Sequence, residues 1–362
     1  MSKALEAIRA YMITKKLDAV LFNSSEYLTS SNVRYITQFT GSEAAVLVTL
    51  RDRHLFTDGR YTIQARQQAQ GYTIHVTKDT VGSVARLVSK WGYSRIGIEP
   101  ARLTYKLVSQ LRRRVPMSTF VDMDKRFLEN FRIHKLPQEL EKIRNAAAVA
   151  SEACKKVLWQ GIVGKTEADV AWELESEMRR LGADEPSFST IVASGERSAL
   201  PHAHPSKKII FPGDLVVMDY GARLSGYNSD ETVTCVVGGS PTPLQEKMHE
   251  AVYEAHNRAI ESLRIGIPMR QIDQVARQCI DRAGFGRHFI HGLGHGVGLE
   301  VHEPPRISQS GKGLVEQGMV FTIEPGIYLE GIGGVRLESL VHMSGDGPEL
   351  LSLMPKKLIS VA

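Results

Sequence analysis

The chain has 362 residues, 42% of them hydrophobic and 23% charged, with a formal net charge of +5. That length exceeds what one hydrophobic core usually serves, so two domains are expected. No run approaches the roughly 20 apolar residues of a membrane span, and the charge is small for the length, so neither membrane nor nucleic acid is expected as a partner. The one short basic run, Arg112 to Arg114, reads as a solvated helix face. Cys154, Cys235 and Cys279 are odd in number and widely spaced, which suits reduced core thiols of a cytoplasmic protein better than a disulfide or zinc scaffold.

In chain order, Met1 to Lys16 reads as an amphipathic helix with Leu5, Ile8 and Met12 on one side, not as a basic head followed by an apolar signal core. Short apolar runs at Ala19 to Asn23, Ala45 to Thr49 and Arg53 to Thr57 alternate with helix-like segments such as Thr62 to Gln70. This is the pattern of an α/β domain, placed at residues 1–136. A boundary is set at Leu136-Pro137, because proline turns its predecessor away from helix and suits a helix start. Beyond it, Leu140, Ile143, Ala147, Ala150, Cys154 and Val157 recur at helical spacing. A second helix opens at Thr166, with Asp169 answering in a capping box, and carries Val170, Leu174, Met178 and Leu181 before Gly182. Two more helices, about Leu244 to Leu263 and about Pro268 to Arg282, have strand-like segments between them, so residues 137–362 form an α+β domain.

Four clusters in this second domain carry chemistry. The run Leu215 to Met218 delivers Asp219, and a turn through Gly221 and Gly226 returns the chain to Asp230, as in a β-hairpin. A carboxylate ending an apolar strand is costly to bury unless neutralised, although either aspartate alone could simply cap a turn. His291-Gly-Leu-Gly-His295-Gly-Val-Gly follows, with Val301-His302-Glu303-Pro304-Pro305-Arg306 behind it. Glycines on both sides of His295 let backbone and imidazole approach a crowded site. The phosphate-loop and dinucleotide patterns are not met, and prolines after His302-Glu303 oppose the helical zinc-protease motif. Glu324 and Glu338 sit in two further strand-like segments, where a lone glutamate ordinarily faces solvent.

Taken together, Asp219, Asp230, His295, Glu324 and Glu338 make an oxygen-rich set without thiolate, suited to manganese or cobalt, with zinc or iron as alternatives. Two divalent cations balance the four carboxylates, and a pair of ions about 3.5 to 4 Å apart can activate a water and polarise a carbonyl. His202, favoured over His204 in Pro201-His202-Ala203-His204-Pro205, and His302 are candidates for acid/base and oxyanion roles, with Glu324 available for the water's proton.

These clusters resemble the pita-bread metallopeptidases, specifically the branch of prolidase and aminopeptidase P. Asn32-Val-Arg-Tyr35 and Thr57-Asp58-Gly59-Arg60-Tyr61 are similar to the creatinase-type domain that precedes the catalytic one. The resemblance implies five metal ligands, with Asp230 and Glu338 bridging two ions per subunit, substrate contacts from His202 and His302, and a homodimer. It also implies short proline-containing peptides as substrates, with His291 and Arg306 as substrate-binding residues. Arg306 is the candidate for a dipeptide's carboxylate. The chain departs from the pattern at Val233, where many relatives carry Arg, and at Ser339, where Asp or Asn is common. An Xaa-Pro dipeptidase is the main expectation and an Xaa-Pro aminopeptidase the alternative. A non-catalytic peptide-binding relative and a metal-free creatinase-like hydrolase are further alternatives that the complete ligand set opposes.

Overall fold

The computed structural model describes residues 2–124 and 127–361. The chain divides into two compact units, Met1–Phe131 and Arg132–Ala362. The helix that opens at Pro137 begins just past that division.

The first unit is built on a six-stranded sheet in the order Thr73–Val76, Arg53–Thr57, Ala44–Thr49, Ala19–Ser24, Arg95–Ile98, Thr119–Asp122. Its three middle strands pair antiparallel, and the flanking pairs are parallel. The opening helix Ser2–Lys15 buries Leu5, Ile8 and Met12 with Val20, Phe22 and Val46 on one face. The helices Thr80–Trp91 and Tyr105–Arg114 cover the other, against Leu21, Leu47 and Ile96. Helices on both faces of a mixed sheet give the expected α/β unit. Arg112, Arg113 and Arg114 are exposed at the end of their helix, and Arg114 pairs with Asp79 at 2.7 Å.

The second unit places one helix pair over each of two sheets. Helices Pro137–Trp159 and Glu167–Arg180 pack Cys154, Val157, Leu174 and Met178 against Val216, Met218, Val233 and Cys235. Those strand residues belong to a four-stranded sheet in the order Ile359–Val361, Glu231–Val237, Leu215–Tyr220, Ile191–Ser194. Helices Pro243–Glu261 and Met269–Arg282 pack Met248, Val252, Ile272 and Ala276 against Phe321, Ile323, Val335 and Val341. The sheet there is five-stranded, ordered Glu303–Ile307, Gly294–Gly296, Val320–Ile323, Ser339–Ser344, Gly347–Leu350. The capping box at Thr166 forms as predicted, Thr166 Oγ1 accepting from Asp169 N at 3.1 Å while Asp169 Oδ2 accepts from Thr166 N at 3.2 Å. Cys154, Cys235 and Cys279 are buried free thiols. Among the described residues no helix is long and apolar enough to cross a membrane.

Two local expectations are refined. The hairpin from Asp219 to Asp230 exists, pairing Tyr220 with Glu231, but its connection makes a small three-stranded sheet with Glu185–Pro186 on the way. Glu324 and Glu338 lie at breaks rather than within strands, Glu324 between Ile323 and Pro325 and Glu338 between Arg336 and Ser339. Proline ends the first ladder because it has no N–H to give. Glu338 instead bridges to Thr232, its N–H donating to Thr232 O at 3.0 Å, and so joins the two sheets.

The strand that follows His302 is anchored by buried charge. Glu303 accepts from Lys135 Nζ at 2.6 Å and lies 3.2 Å from Arg132 Nη2, with all three side chains at 2% exposure or less. Removing that carboxylate takes from Lys135 and Arg132 the buried anion they share, Arg132 keeping Glu300 at 3.4 Å, so Glu303→Ala should lower the unfolding free energy by about 3–5 kcal/mol. Urea denaturation measures it, and a loss below about 1 kcal/mol would contradict this account.

Candidate metal centre

Strand periodicity sends the carboxylates to one wall. In Leu215–Tyr220 the residues Val216, Met218 and Tyr220 enter the helix-covered core, so Asp219 points to the opposite face. In Glu231–Val237 the residues Val233, Cys235 and Val237 enter the same core, leaving Thr232 and Thr234 on Asp219's face, with Asp230 in step with them. Val233 therefore lies on the side away from Asp219. The second sheet supplies the facing wall. Here His295 is flanked by Gly294 and Gly296, where an added Cβ would fall 1.9 Å from Thr322 O and 2.2 Å from Pro304 O. The glycine density read from sequence is thus a requirement of backbone approach.

Asp230, His295 and Glu338 each offer one ligand atom, and these atoms lie within 4.8 Å of one another. His295 Nε2 is also 3.4 Å from Glu324 Oε1 and 3.6 Å from Asp230 Oδ2. His295 Nδ1 donates to Gly296 O at 3.1 Å, which assigns the proton to Nδ1 and leaves the Nε2 lone pair facing the carboxylates. Burial, then the neighbouring His302, pushes the His295 pKa down to about 3, so the ring is neutral. Burial also raises Asp230 and Glu324 well above the usual carboxylate range, helped in both by the charge of Glu338, and raises Glu338 to about 8 with help from Asp219. A lone pair and several carboxylates facing one another without a cation repel. The donor set therefore fits divalent ions, and Asp219 Oδ1, buried with no hydrogen-bond partner among the described residues, is a further donor without an assigned role.

Around this set stand residues that the sequence reading passed over. Arg336 donates to Asp219 Oδ2 at 2.7 Å, Tyr328 OH at 2.9 Å, Thr232 Oγ1 at 3.2 Å and Pro201 O at 3.2 Å. Thr232 Oγ1 donates to Glu338 Oε2 at 2.6 Å, and Thr322 Oγ1 donates to Glu324 Oε1 at 3.3 Å. Such outer partners orient ligands. The available signal was Arg336 itself, a charged residue two positions before Glu338 in a segment that reads as a strand. Ser339 Oγ bonds the buried His256 Nε2 at 3.0 Å.

The remaining candidates are distributed around the rim. The His302 ring centroid lies 4.1 Å from that of His295, and the residue is exposed. His202 and His204 are both exposed, and His202 is the one whose charge is felt by His291 and His302. His291 donates from Nδ1 to Gly292 O at 2.8 Å and its Nε2 accepts from Tyr328 OH at 3.0 Å, while burial pushes its pKa down to about 4. Arg306 is exposed and sits opposite His295 in the strand register.

Comparison with known proteins gives a consistent picture. The model of metallopeptidase family M24 matches residues 141–344, and that of the creatinase/prolidase N-terminal domain matches residues 5–134. An Xaa-Pro dipeptidase of Pyrococcus furiosus is 43% identical over 264 residues, 73% of this chain and 75% of the relative. The structure of an Xaa-Pro dipeptidase from Bacillus anthracis superposes with a TM-score of 0.93 at 36% identity, covering 99% of both chains. That of an X-Pro aminopeptidase from Thermotoga maritima gives 0.90 at 35%, covering 96% of this chain and 98% of that one.

The raised carboxyl pKa of Glu338 sets a pH dependence for the metal-stripped protein. Between the ordinary glutamate value of 4.5 and about 8 the folded state holds a proton that the unfolded state has released. Stability therefore falls as pH rises through that window. Thermal melts of chelated protein should show Tm dropping from pH 5 to 8, with a smaller drop in Glu338→Gln and recovery on adding divalent metal. A Glu338→Gln profile parallel to wild type would reject the assignment.

Proposed function

Because the chain belongs to metallopeptidase family M24 and carries the creatinase/prolidase N-terminal domain, we propose that it is an Xaa-Pro dipeptidase working with two divalent ions held by Asp219, Asp230, His295, Glu324 and Glu338. The observation that carries this reading is the neutral imidazole of His295 facing Asp230 and Glu324, with Glu338 in reach. Residues 1–136 are assigned to the creatinase-like domain and 137–362 to the catalytic one, and a cytoplasmic homodimer is the assembly taken from the resemblance. Asp230 and Glu338, whose donor atoms lie within reach of His295, would hold the ions with the other three, and manganese or cobalt precedes zinc or iron as the metal.

When bound, the ions supply Lewis-acid polarisation of the scissile carbonyl and a water made acidic near neutral pH. The chain's own groups do the rest. Glu324 receives the water's proton, its carboxylate steadied by Thr322 Oγ1. His202 and His302 donate to the oxygen on which negative charge develops. Arg306, exposed and without a carboxylate partner among the described residues, takes the free carboxylate that ends a dipeptide. Proline's tertiary amide has no N–H, so binding at the scissile bond falls to ring contacts and this terminal charge.

The aminopeptidase alternative has its own support in the likeness to the X-Pro aminopeptidase of Thermotoga maritima, which extends over 96% of this chain. Comparison of Ala-Pro with Ala-Pro-Ala separates the two. A dipeptidase cleaves the first with clear preference; the reverse preference establishes the alternative, and failure to cut either under all four metals removes both. Elemental analysis should find two ions per chain. Asp230→Asn and Glu338→Gln should each lower kcat/KM by more than about 100-fold, beyond the 10–100-fold typical of outer partners. Arg306→Ala should raise KM for Ala-Pro about tenfold or more, the worth of a charged hydrogen bond, while changing Ala-Pro-Ala little.

A further inference from the structure

The segment that carries His202 is closed at both ends by one side chain remote from the metal-ligand set. Glu167 opens the helix Glu167–Arg180, and its side chain is fully buried. Its Oε1 accepts from Ser194 N at 2.8 Å and Ser194 Oγ at 2.9 Å. Its Oε2 accepts from Arg197 Nε at 2.9 Å, Ser206 N at 3.1 Å and Ser206 Oγ at 2.7 Å. Arg197 Nη2 then donates to His204 O at 2.7 Å. Residues 194 and 206 thus meet on one carboxylate, with the guanidinium it holds reaching up to the backbone two residues past His202.

Between these ends the chain makes a tight turn in which Ala203 N donates to Leu200 O at 3.2 Å, placing Pro201 and His202 at the two central positions. Proline is favoured at the first of these because its φ is already set. Ala203 is buried with Ile191 and Ala193, so the turn is seated on the sheet. From the site side, Arg336 Nη1 donates to Pro201 O at 3.2 Å and Gly334 N donates to Ser198 Oγ at 2.7 Å. The apex is therefore held between the metal centre and Glu167, and the one chemistry-bearing side chain at that apex is His202.

We propose that Glu167, through Arg197, is a positioning residue for His202, setting where the imidazole stands over the reacting carbonyl. This rests on the Xaa-Pro peptidase reading above. A merely structural staple lowers stability and acts equally whichever residue occupies position 202; a positioning residue loses its effect once the imidazole is gone.

The test is a double-mutant cycle on the metal-loaded enzyme with Ala-Pro as substrate. Glu167→Gln and Arg197→Met are each measured alone and combined with His202→Ala, with metal content determined for every variant. The expected result is a fall in kcat of about tenfold for Glu167→Gln, KM within about twofold, two ions retained, and less than a twofold further effect in the His202→Ala background. Arg197, whose side chain is 33% exposed, carries the same cycle if Glu167→Gln fails to fold. Equal effects in both backgrounds, wild-type kcat in Glu167→Gln and Arg197→Met, or a loss explained by missing metal would each overturn the proposal while leaving the dipeptidase reading intact. Wild-type enzyme that cleaves neither Ala-Pro nor Ala-Pro-Ala overturns that reading, and this inference with it.

Discussion

The repulsion among closely set, desolvated carboxylates is the constraint around which the second unit is organised. Asp230 and Glu338 are buried, Glu324 is nearly so, and their pKa values rise first because burial strips their solvation and next because each charge disfavours its neighbours. Neutralisation by protonation is one way to hold them together, and divalent cations are the other. The Nε2 lone pair of His295, turned inward by the Nδ1 bond to Gly296 O, adds a donor of the kind that suits divalent cations. Asp219 Oδ1, buried with no hydrogen-bond partner among the described residues, adds another.

The surrounding residues fix oxygen atoms without neutralising the group as a whole. Arg336 brings one positive charge against Asp219, and the same guanidinium ties Tyr328, Thr232 and Pro201 together. Tyr328 passes the order to His291. From the helix side, two buried acids, each paired with a partly exposed arginine, reach towards the loops. Glu167 and Arg197 meet the backbone at His204, while Asp273 holds Arg277, which donates to Phe289 O at 2.8 Å and also to His291 O. Each guanidinium caps carbonyls in a segment that lacks ladder partners, so the histidine-bearing loops are anchored to the helices.

Much of this was legible in the sequence, because its signals were local. The apolar periodicity of Leu5, Ile8 and Met12, the Thr166 capping box, and the glycines around His295 each state a physical demand that any compatible fold must meet. The candidate ligand set was readable only as a set, since Glu324 or Glu338 alone reads as a solvent-facing glutamate. Arg336 was missed for the converse reason. An arginine in a strand-like segment ordinarily faces water, and its burial follows from Thr232 bridging to Glu338 across more than a hundred residues, which no local pattern encodes. The contacts of Glu167 and Asp273 were hidden in the same way, because an acid in the first turn, as Glu167 is, is already explained by the helix dipole, and one further into a helix, as Asp273 is, ordinarily faces water.

The same strands that carry the candidate ligands also carry the core, and this couples the site to the fold. In Leu215–Tyr220 the even positions Val216, Met218 and Tyr220 are packed under the helices while Asp219 faces the opposite wall. A slip of one residue would drive Asp219 into the apolar layer and turn Met218 towards the carboxylates, and it would displace Thr232 from its place opposite Asp219. Register is therefore specified twice over, by apolar burial on one face and by the gathering of ligands on the other. The ligands also come from separate sheets whose junction runs through the Thr232 to Glu338 bridge. Each half can be packed correctly by its own helix pair, yet the donor set is complete only when both registers and that single bridge are in place.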